Sequence, residues 1–377
     1  MKLFDVYPLY DITPVQGKNV HVTDDKGITY LDLYGGHAVI SIGHSHPRYV
    51  SAISEQAGKL GFYSNAVQNP LQMELAEKLG ALSGCDNYEL FLCNSGAEAN
   101  ENALKLASFQ TGKARIIAFN NAFHGRTSAA VAATDNKNIN APINAQHQVT
   151  FLELGDIAAL EKELQKGDVC AVIIEFIQGV GGLDEATADF YENADKLCKQ
   201  HDSMFIADEI QCGYGRTGDF FAFQQYNVTP DIISMAKGMG NGFPVAGILV
   251  YPSIKAKHGM LGTTFGGNHL ACAAAIAVLD VLKEEKLMEN TREVAAYFVE
   301  KAGTIPQIKQ IKGRGLMLGL EFDFEVGELR KKLIYDHHIF TGGSSNKKLL
   351  RILPPLTVKK EHIDAFFDAL NNVVMNS

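Results

Sequence analysis

The chain has 377 residues, of which 46% are hydrophobic and 20% are charged, and its formal net charge is −9 at pH 7. These values are typical of an ordered globular protein and argue against a largely disordered chain. The length predicts one large domain and a smaller one. The negative charge argues against non-specific binding to nucleic acid or to an anionic membrane surface.

The cysteines and the N-terminal residues predict a cytoplasmic protein. The six cysteines are scattered, with no Cys-x-x-Cys pair and no His/Cys cluster at zinc spacing, so we expect reduced thiols and no bound metal. Residues 1–5 lack the apolar segment of a signal peptide and the Arg/Ser richness of a transit peptide. No apolar run reaches the length of a membrane-spanning helix.

Residues 1–50 are predicted to form an N-terminal arm that contributes to the small domain. The alternating segment Val20–Thr23 and the turn Asp24–Gly27 indicate a β-hairpin. The histidines that follow, His37, His44 and His46, fit no common zinc pattern. We therefore expect turn histidines with satisfied hydrogen bonds, and a histidine-based metal-binding module is the alternative.

Residues 51–270 are predicted to form the large domain, because short apolar runs alternate there with helical stretches. The runs are Leu90–Leu92, Arg115–Phe119, Val169–Ile174, Met204–Ala207 and Ile232–Ala236. Runs of this kind predict buried parallel strands, and their alternation with helices predicts a layered α/β fold.

Residues 271–377 show a different pattern, which predicts a smaller C-terminal domain. A helix is expected over Ala271–Glu285, a strand pair around Leu316–Phe322 and Leu349–Leu353, and a last helix over Lys360–Met375. The chain has no internal repeats and no long linker between the domains.

Polar or glycine-rich groups follow each predicted strand of the large domain. They are Asn94-Ser95-Gly96, His124-Gly125-Arg126, Glu175, Asp208 and Lys237. Because open α/β sheets bind ligands outside the carboxyl ends of their strands, this clustering predicts one active-site crevice.

Lys237 and Asp208 each end a buried-looking strand, and the pair suggests a pyridoxal-phosphate enzyme. A lysine amine can form a Schiff base with an aldehyde cofactor, and an aspartate can keep a pyridine nitrogen protonated. Gln211, in the turn after Asp208, is placed to reach a ring hydroxyl.

A phosphate site is predicted where a strand leads into a helix at Ser95. Ser95 is the expected N-cap and Glu98 stands at the capping-box position. The N–H groups of Gly96 and Ala97 would then lie at the positive end of the helix dipole, which suits a phosphate. A capped helix without a ligand is the alternative, and the hydroxyl-bearing segment Gly262–Asn268 is a second candidate.

Three further side chains are candidates for binding the ring and the substrate. Phe123 can stack on a pyridine ring and Arg126 can bind a carboxylate. The alternatives are that Phe123 is a core residue and that Arg126 is a surface residue. Arg351 stands in an apolar segment, so it needs an anionic ligand or a buried ion-pair partner. Glu175 is included among the candidate substrate-binding residues.

In this order, the motifs resemble those of the class III, ornithine-type aminotransferases, closest to the N-acetylornithine group, over nearly the full length. The markers are Leu33-Tyr34-Gly35-Gly36, Gly43-His44-Ser45-His46-Pro47, Asn94–Asn100, Phe123–Thr127, Asp208–Gln211, Ala236-Lys237-Gly238, Gly262–Asn268 and Arg351–Pro355. Each marker is weak by itself, and their order makes the resemblance specific.

The resemblance implies a fold-type I homodimer with a mainly parallel seven-stranded sheet and active sites shared between the subunits. By position, the residues with implied cofactor roles are Ser95, Gly96 and Ala97 for phosphate, Phe123 over the ring, Asp208 and Gln211 on the ring atoms, Lys237 at the aldehyde, and Thr264 on the phosphate in the neighbouring subunit. The implied substrate contacts are Thr263, Arg126 for the acylornithine or glutamate side-chain carboxylate, and Arg351 for the α-carboxylate of glutamate.

The implied activity is transfer of the δ-amino group of N-acetylornithine to 2-oxoglutarate by ping-pong kinetics in arginine biosynthesis. Ornithine δ-aminotransferase and 4-aminobutyrate aminotransferase are the alternatives within the family, and a non-catalytic pyridoxal-phosphate-binding protein is the alternative outside it.

The chain departs from the family pattern at Val180 and at His37. Relatives have a glutamate where this chain has Val180, and that glutamate pairs with the arginine that corresponds to Arg351. Without it, Arg351 is expected to be freer to meet anions, which would favour a donor with an additional carboxylate such as N-succinylornithine.

Overall fold

A seven-stranded, mainly parallel sheet lies at the centre of this computed structural model, which describes residues 1–375. With strands numbered in chain order, the spatial order is β4 (Glu89–Cys93), β10 (Ala246–Val250), β9 (Ile232–Met235), β8 (Met204–Asp208), β7 (Val169–Ile174), β5 (Arg115–Phe119) and β6 (Val149–Leu152). The predicted α/β fold with a mainly parallel sheet is confirmed.

One strand, β10, runs against the others, and it was not among the predicted strands. It is antiparallel to both of its neighbours, β4 and β9, so β4, which contains the run Leu90–Leu92, has the direction of the parallel strands. The direction of β10 follows from its short connection to β9, which is too brief for a crossover helix and so makes the two strands antiparallel neighbours.

Helices cover both faces of this sheet, and the strands are accordingly apolar on both sides, with every residue of β7 buried. The helices of this part of the chain are α2 (Pro47–Lys59), α3 (Pro70–Ser83), α4 (Gly96–Thr111), α5 (Ser128–Ala132), α6 (Ile157–Leu164), α7 (Ala188–Gln200) and α8 (His269–Glu284). Short 3-10 turns lie at Lys137–Ile139, Asn144–Gln146, Ala222–Gln225 and Lys237–Met239.

There are two smaller sheets, of which the first joins strands from the two ends of the chain and the second is formed by the C-terminal part. The first contains β1 (Pro14–Lys18), β2 (His21–Asp24), β3 (Thr29–Asp32) and β13 (Ile339–Phe340), and the second contains β11 (Gln310–Arg314), β12 (Met317–Glu321) and β14 (Leu349–Ile352). The remaining helices are the single turn α1 (Gly35–Ala38), α9 (Leu287–Ala302), α10 (Gly327–Tyr335) and α11 (Lys360–Met375). The predicted β2–β3 hairpin, β12–β14 pair and last helix are confirmed.

The division into residues 1–50, 51–270 and 271–377 stays a prediction. The parallel pairing of β3 with β13 joins the N-terminal arm to the C-terminal part and supports it. Helix α8, placed in the C-terminal segment, packs against α2 and α3. All six cysteines are free and buried, and among residues 1–375 no helix is both long and apolar enough to cross a membrane.

Candidate active site

A cavity of about 370 Å³ opens at the carboxyl ends of the parallel strands, where the sequence predicts the crevice. Nine of the twelve predicted site residues line it, and they are Ser95, Gly96, Ala97, Phe123, Arg126, Glu175, Asp208, Gln211 and Lys237. The other three, Thr263, Thr264 and Arg351, do not line this cavity in a single chain.

Asp208, at the end of β8, is held by three donors. Its Oδ2 accepts from His124 Nδ1 at 2.7 Å and from Asn100 Nδ2 at 2.8 Å, and its Oδ1 accepts from the backbone N–H of Ile210 at 3.1 Å. The carboxylate is almost fully buried, so these bonds fix its orientation. Asp208 Oδ1 accepts only one of these bonds, so it could accept a further hydrogen bond from a protonated ring nitrogen.

His124 and Glu175 are the other buried titratable groups beside Asp208. Burial by itself lowers the pKa of His124, but the hydrogen bond and charge of Asp208 and the charge of Glu175 leave it raised. Burial raises the pKa of Glu175, although its two oxygens accept from Phe123 N and Gly179 N, both at 3.0 Å. A hydrogen bond thus joins an imidazole to a carboxylate in the wall of the cavity.

Lys237 follows β9 in a strained backbone conformation, with φ at +45°. Left-handed dihedrals are costly for residues other than glycine, and such strain clusters at functional sites. Burial lowers the pKa of its amine; Asp208 and Glu175 oppose that shift, and Arg351 adds to it. A lowered pKa leaves more of the amine neutral and nucleophilic.

Gln211 lies against the backbone of Gly179. A Cβ at Gly179 would stand only 2.0 Å from Gln211 Oε1, so this approach requires glycine. Gln211 Nε2 donates to His37 O at 3.3 Å, while the buried Oε1 has no hydrogen-bond partner among the described residues. A buried polar atom without a partner, on a residue that lines a cavity, makes that residue a candidate for binding a ligand group.

The first turn of α4 forms the predicted anion site. Ser95 is the N-cap, and its Oγ accepts from Glu98 N at 3.2 Å, as predicted. The Glu98 carboxylate reaches one residue further back than the capping box requires and accepts from Asn94 N at 2.8 Å. The N–H groups of Gly96 and Ala97 have no acceptor within a helix and lie at the positive end of its dipole.

Phe123 and Arg126 come from the loop after β5. Phe123 is half-buried and lines the cavity, whereas Arg126 lines the cavity with an exposed guanidinium. An exposed arginine at the mouth is free to turn towards an incoming carboxylate.

Arg351, in β14, is only 3% exposed. It does not line the cavity, but it contacts the residue before one that does. Its Nε donates to Gly343 O at 2.5 Å and its Nη1 donates to Gly179 O, next to the cavity residue Val180. The alternative of a buried ion pair is wrong, since carbonyl oxygens are its hydrogen-bond partners among residues 1–375.

The two threonines lie on the segment before α8. Thr263 is half-buried, and its Oγ1 accepts from Asn94 Nδ2 at 3.2 Å, next to the predicted anion site at Ser95. Thr264 is exposed. The expected turn histidines are also found, since His44 Nε2 lies 2.8 Å from Asp32 and His46 Nδ1 caps α2 by accepting from Arg48 N.

Sequence reasoning missed Asn100 and His124 as partners of Asp208. Both stand in motifs singled out above, and for Asn100 the available signal was a polar side chain on an otherwise apolar helix face. In α4, Asn100 lies among the buried residues Ala99, Ala103 and Leu104. A buried amide needs a hydrogen-bond partner, which the sequence could have indicated without naming it.

Comparison with known proteins decides the family, because the model of the family described as aminotransferase class-III matches residues 6–374. The chain belongs to the class III aminotransferases. It is therefore a pyridoxal-phosphate-dependent aminotransferase with small-molecule substrates, as its family is.

The chain is similar to curated members of the class III family over nearly its whole length. It is 40% identical to the acetylornithine aminotransferase of Bacillus subtilis, covering 96% of this chain and 94% of that protein. It is 40% identical to the acetylornithine aminotransferase of Methanothermobacter thermautotrophicus, covering 99% and 96%.

Solved structures share the fold. The ornithine aminotransferase of Toxoplasma gondii matches with a TM-score of 0.90 at 29% identity, covering 98% of this chain and 93% of that one. The acetylornithine aminotransferase of Elizabethkingia anophelis matches with a TM-score of 0.84 at 30% identity, covering 98% and 96%.

The residues of the cavity fit the cofactor of this family. An anion-binding helix terminus, a carboxylate held by three donors, an unpartnered amide oxygen and a buried amine of lowered pKa face one cavity. These groups match, in order, the phosphate, the pyridine nitrogen, the ring oxygen and the aldehyde of pyridoxal phosphate.

Proposed function

We propose that this chain transfers the δ-amino group of N-acetylornithine to 2-oxoglutarate. The observation that carries the proposal is the identity of about 40%, over nearly the full length, to acetylornithine aminotransferases of both bacteria and archaea. A family member with this donor would serve arginine biosynthesis, and the scattered buried thiols fit a cytoplasmic enzyme.

In this proposal the chain's own residues hold the cofactor. Lys237 Nζ would bind the aldehyde carbon, and the N–H groups of Gly96 and Ala97 with Ser95 would bind the phosphate. Phe123 would cover the ring, and Gln211 would face its oxygen. When bound, pyridoxal phosphate supplies an electron-accepting ring and carries the amino group between the two substrates.

Two residues would then handle protons. Asp208, hydrogen-bonded to His124 and Asn100, would hold the proton on the ring nitrogen. Lys237 Nζ would remove a proton from the δ-carbon of the donor, and in the second half-reaction would deliver one to carbon 2 of the acceptor. Ping-pong kinetics follow, because the donor product leaves before the acceptor binds.

The substrate carboxylates would be held by two arginines at different depths. Arg126, at the mouth, would bind the carboxylate of acetylornithine or the side-chain carboxylate of glutamate, and buried Arg351 would bind the α-carboxylate of glutamate. Thr263 and Glu175 would border the substrate.

We also propose a homodimer with shared active sites, in which Thr264 reaches the phosphate in the partner subunit. Phe265, the next residue after this threonine, and Phe62 are large apolar side chains that are both exposed, and their rings are 5.5 Å apart. An exposed apolar cluster of this kind favours burial against a second chain.

N-succinylornithine is a second candidate donor, favoured by one observation. Val180 provides no carboxylate, so Arg351 is held by the carbonyl oxygens of Gly179 and Gly343 and its positive charge remains available to an additional substrate carboxylate.

A panel of amino donors against 2-oxoglutarate tests the proposal. We expect kcat/KM for an acylated ornithine to exceed the values for ornithine and 4-aminobutyrate by at least about tenfold. A clear preference for acetylornithine over succinylornithine would reject the second candidate donor. A preference for ornithine or 4-aminobutyrate would reject acylornithine as the donor class.

A further inference from the structure

Two guanidinium groups meet at the glycine pair Gly342-Gly343, on the small-domain side of the active site. Arg351 Nε donates to Gly343 O at 2.5 Å. Arg330, in α10, also lies against this glycine, since a Cβ built on Gly343 would stand 2.6 Å from Arg330 Nη1. The two arginines therefore converge although they come from different elements.

The glycine pair makes this convergence possible. A Cβ at Gly342 would lie 2.8 Å from the ring of Tyr34 and 3.1 Å from Arg351 Cβ. Carbon atoms do not approach that closely, so any larger residue at Gly342 would push Tyr34 and Arg351 apart. Tyr34 in turn is hydrogen-bonded to His37, whose carbonyl accepts from the cavity residue Gln211.

Neither guanidinium forms an ion pair with an acidic side chain in the part of the chain that the structure describes. Arg330 Nη2 donates to Thr341 O at 3.1 Å, and its buried Nε has no hydrogen-bond partner there. Arg351 is bound to carbonyl oxygens. The two cations are adjacent and repel each other, and Arg351, only 3% exposed, has no acidic side chain within ion-pair distance among the described residues.

We infer that Arg330 is a second arginine of the α-carboxylate site and determines its specificity for 2-oxo acids. The inference rests on the proposed role of Arg351. The acceptor 2-oxoglutarate carries a carboxylate directly on its reacting carbon, whereas the δ-carbon of an acylornithine carries none. An anion beside Arg351 would relieve the repulsion between the two guanidinium groups, so Arg330 acts on the acceptor half-reaction.

The substitution Arg330→Gln tests this inference in the cofactor-loaded enzyme. Loss of a charge-assisted contact should raise KM for 2-oxoglutarate roughly tenfold to a hundredfold. The single-turnover rate with the amino donor, followed by the absorbance of the bound cofactor, should stay within about twofold. Arg330→Lys keeps the charge without the planar fork and should give an intermediate KM.

Lys331→Gln is the matched control. Lys331 is the next residue of α10, is exposed and pairs with Glu328, so the variant removes the same charge from the same helix. It should leave KM for 2-oxoglutarate unchanged. Equal KM values in Arg330→Gln and Lys331→Gln would overturn the inference, and so would an equal loss in both half-reactions.

Glutarate, which has the two carboxylates of 2-oxoglutarate without its keto group, separates this inference from the proposed function. Ligand binding raises the melting temperature according to occupancy, so glutarate should stabilise the cofactor-loaded wild type and Lys331→Gln more than Arg330→Gln. This measurement needs no amino donor. If acylornithines are not substrates but glutarate binding depends on Arg330, the donor assignment fails and the inference stands; equal stabilisation of all three proteins overturns the inference.

Discussion

The charged side chains on the two sides of the active-site cavity have different kinds of hydrogen-bond partner. On the side of Asp208, the carboxylate is matched by His124 at 2.7 Å and held by Asn100 at 2.8 Å. On the side of Arg351, two guanidinium groups share Gly343 and bind carbonyl oxygens. On the first side an ionisable side chain is the partner of the acidic group, whereas on the second side the described partners of the two arginines are backbone carbonyl oxygens.

The difference follows from what each side has to do. A group that must keep one protonation state throughout a catalytic cycle benefits from a permanent partner, which fixes its charge. A group that binds and releases a substrate carboxylate benefits from the lack of one, because a built-in acid would compete with the substrate. Val180, which follows the Gly179 carbonyl that Arg351 contacts, carries no carboxylate that could pair with this arginine.

The largest effect is expected at Lys237, between the two sides. Lys237→Ala removes the amine that would hold the cofactor and move the proton, so turnover should fall by at least about four orders of magnitude. Steady-state assays with the donor panel measure this loss. Alanine at Lys283, exposed at the end of α8, should leave turnover unchanged. Near-normal turnover in Lys237→Ala would reject the assigned role.

The substitution Asp208→Asn changes the side of the cavity on which a carboxylate is hydrogen-bonded to His124. The neutral amide cannot hold a proton on a ring nitrogen, so kcat/KM should fall by roughly two to four orders of magnitude. The fold should persist, because an asparagine oxygen can still accept from His124, whose pKa should drop once the neighbouring charge is gone. Thermal unfolding and NMR titration of the imidazole check both points, and an unchanged kcat/KM would contradict the role of Asp208.

The substitution Val180→Glu would give Arg351, on the other side of the cavity, an acidic partner. A carboxylate beside Arg351 would compete with the substrate, so KM for 2-oxoglutarate should rise roughly tenfold. Any preference for succinylornithine should fall in the same variant. Val180→Gln, of similar size and uncharged, is the control. Equal KM values in the two variants would show that Arg351 does not depend on the charge at position 180.

The smallest expected effect is a shift in the pKa of Lys237, which groups on both sides of the cavity influence. The pKa of Lys237 lies below the ordinary lysine value of 10.5, because burial disfavours the charged amine. Uptake of pyridoxal phosphate by the apoenzyme requires the neutral amine, so its rate should rise with pH to a midpoint below 10.5.

Variants on the two sides should move this midpoint in opposite directions. Asp208 and Glu175 raise the pKa of Lys237 and Arg351 lowers it, so Glu175→Gln should shift the midpoint down and Arg351→Gln should shift it up. Stopped-flow absorbance measures the rate. Shifts in the same direction would mean that the two sides do not act on Lys237 through their charges.

The sequence by itself determined the α/β fold, the main strands and most of the cofactor side. Apolar runs such as Val169–Ile174 report burial locally, and the N-cap at Ser95 satisfies N–H groups three residues away. Strand-end residues such as Asp208 and Lys237 could be placed together because parallel strands end at one edge of a sheet. These are short-range or topological rules, which a single sequence expresses.

Only the tertiary structure decided the partners of those residues. Asn100 meets Asp208 across 108 positions of sequence, and Arg351 meets Gly179 across 172. The convergence of Arg330 and Arg351 depends on two glycines that belong to none of the sequence motifs described above. No local pattern encodes such contacts, because each is fixed by how separate elements pack. The sequence therefore gives the charged groups, and packing decides which of them remain without a partner.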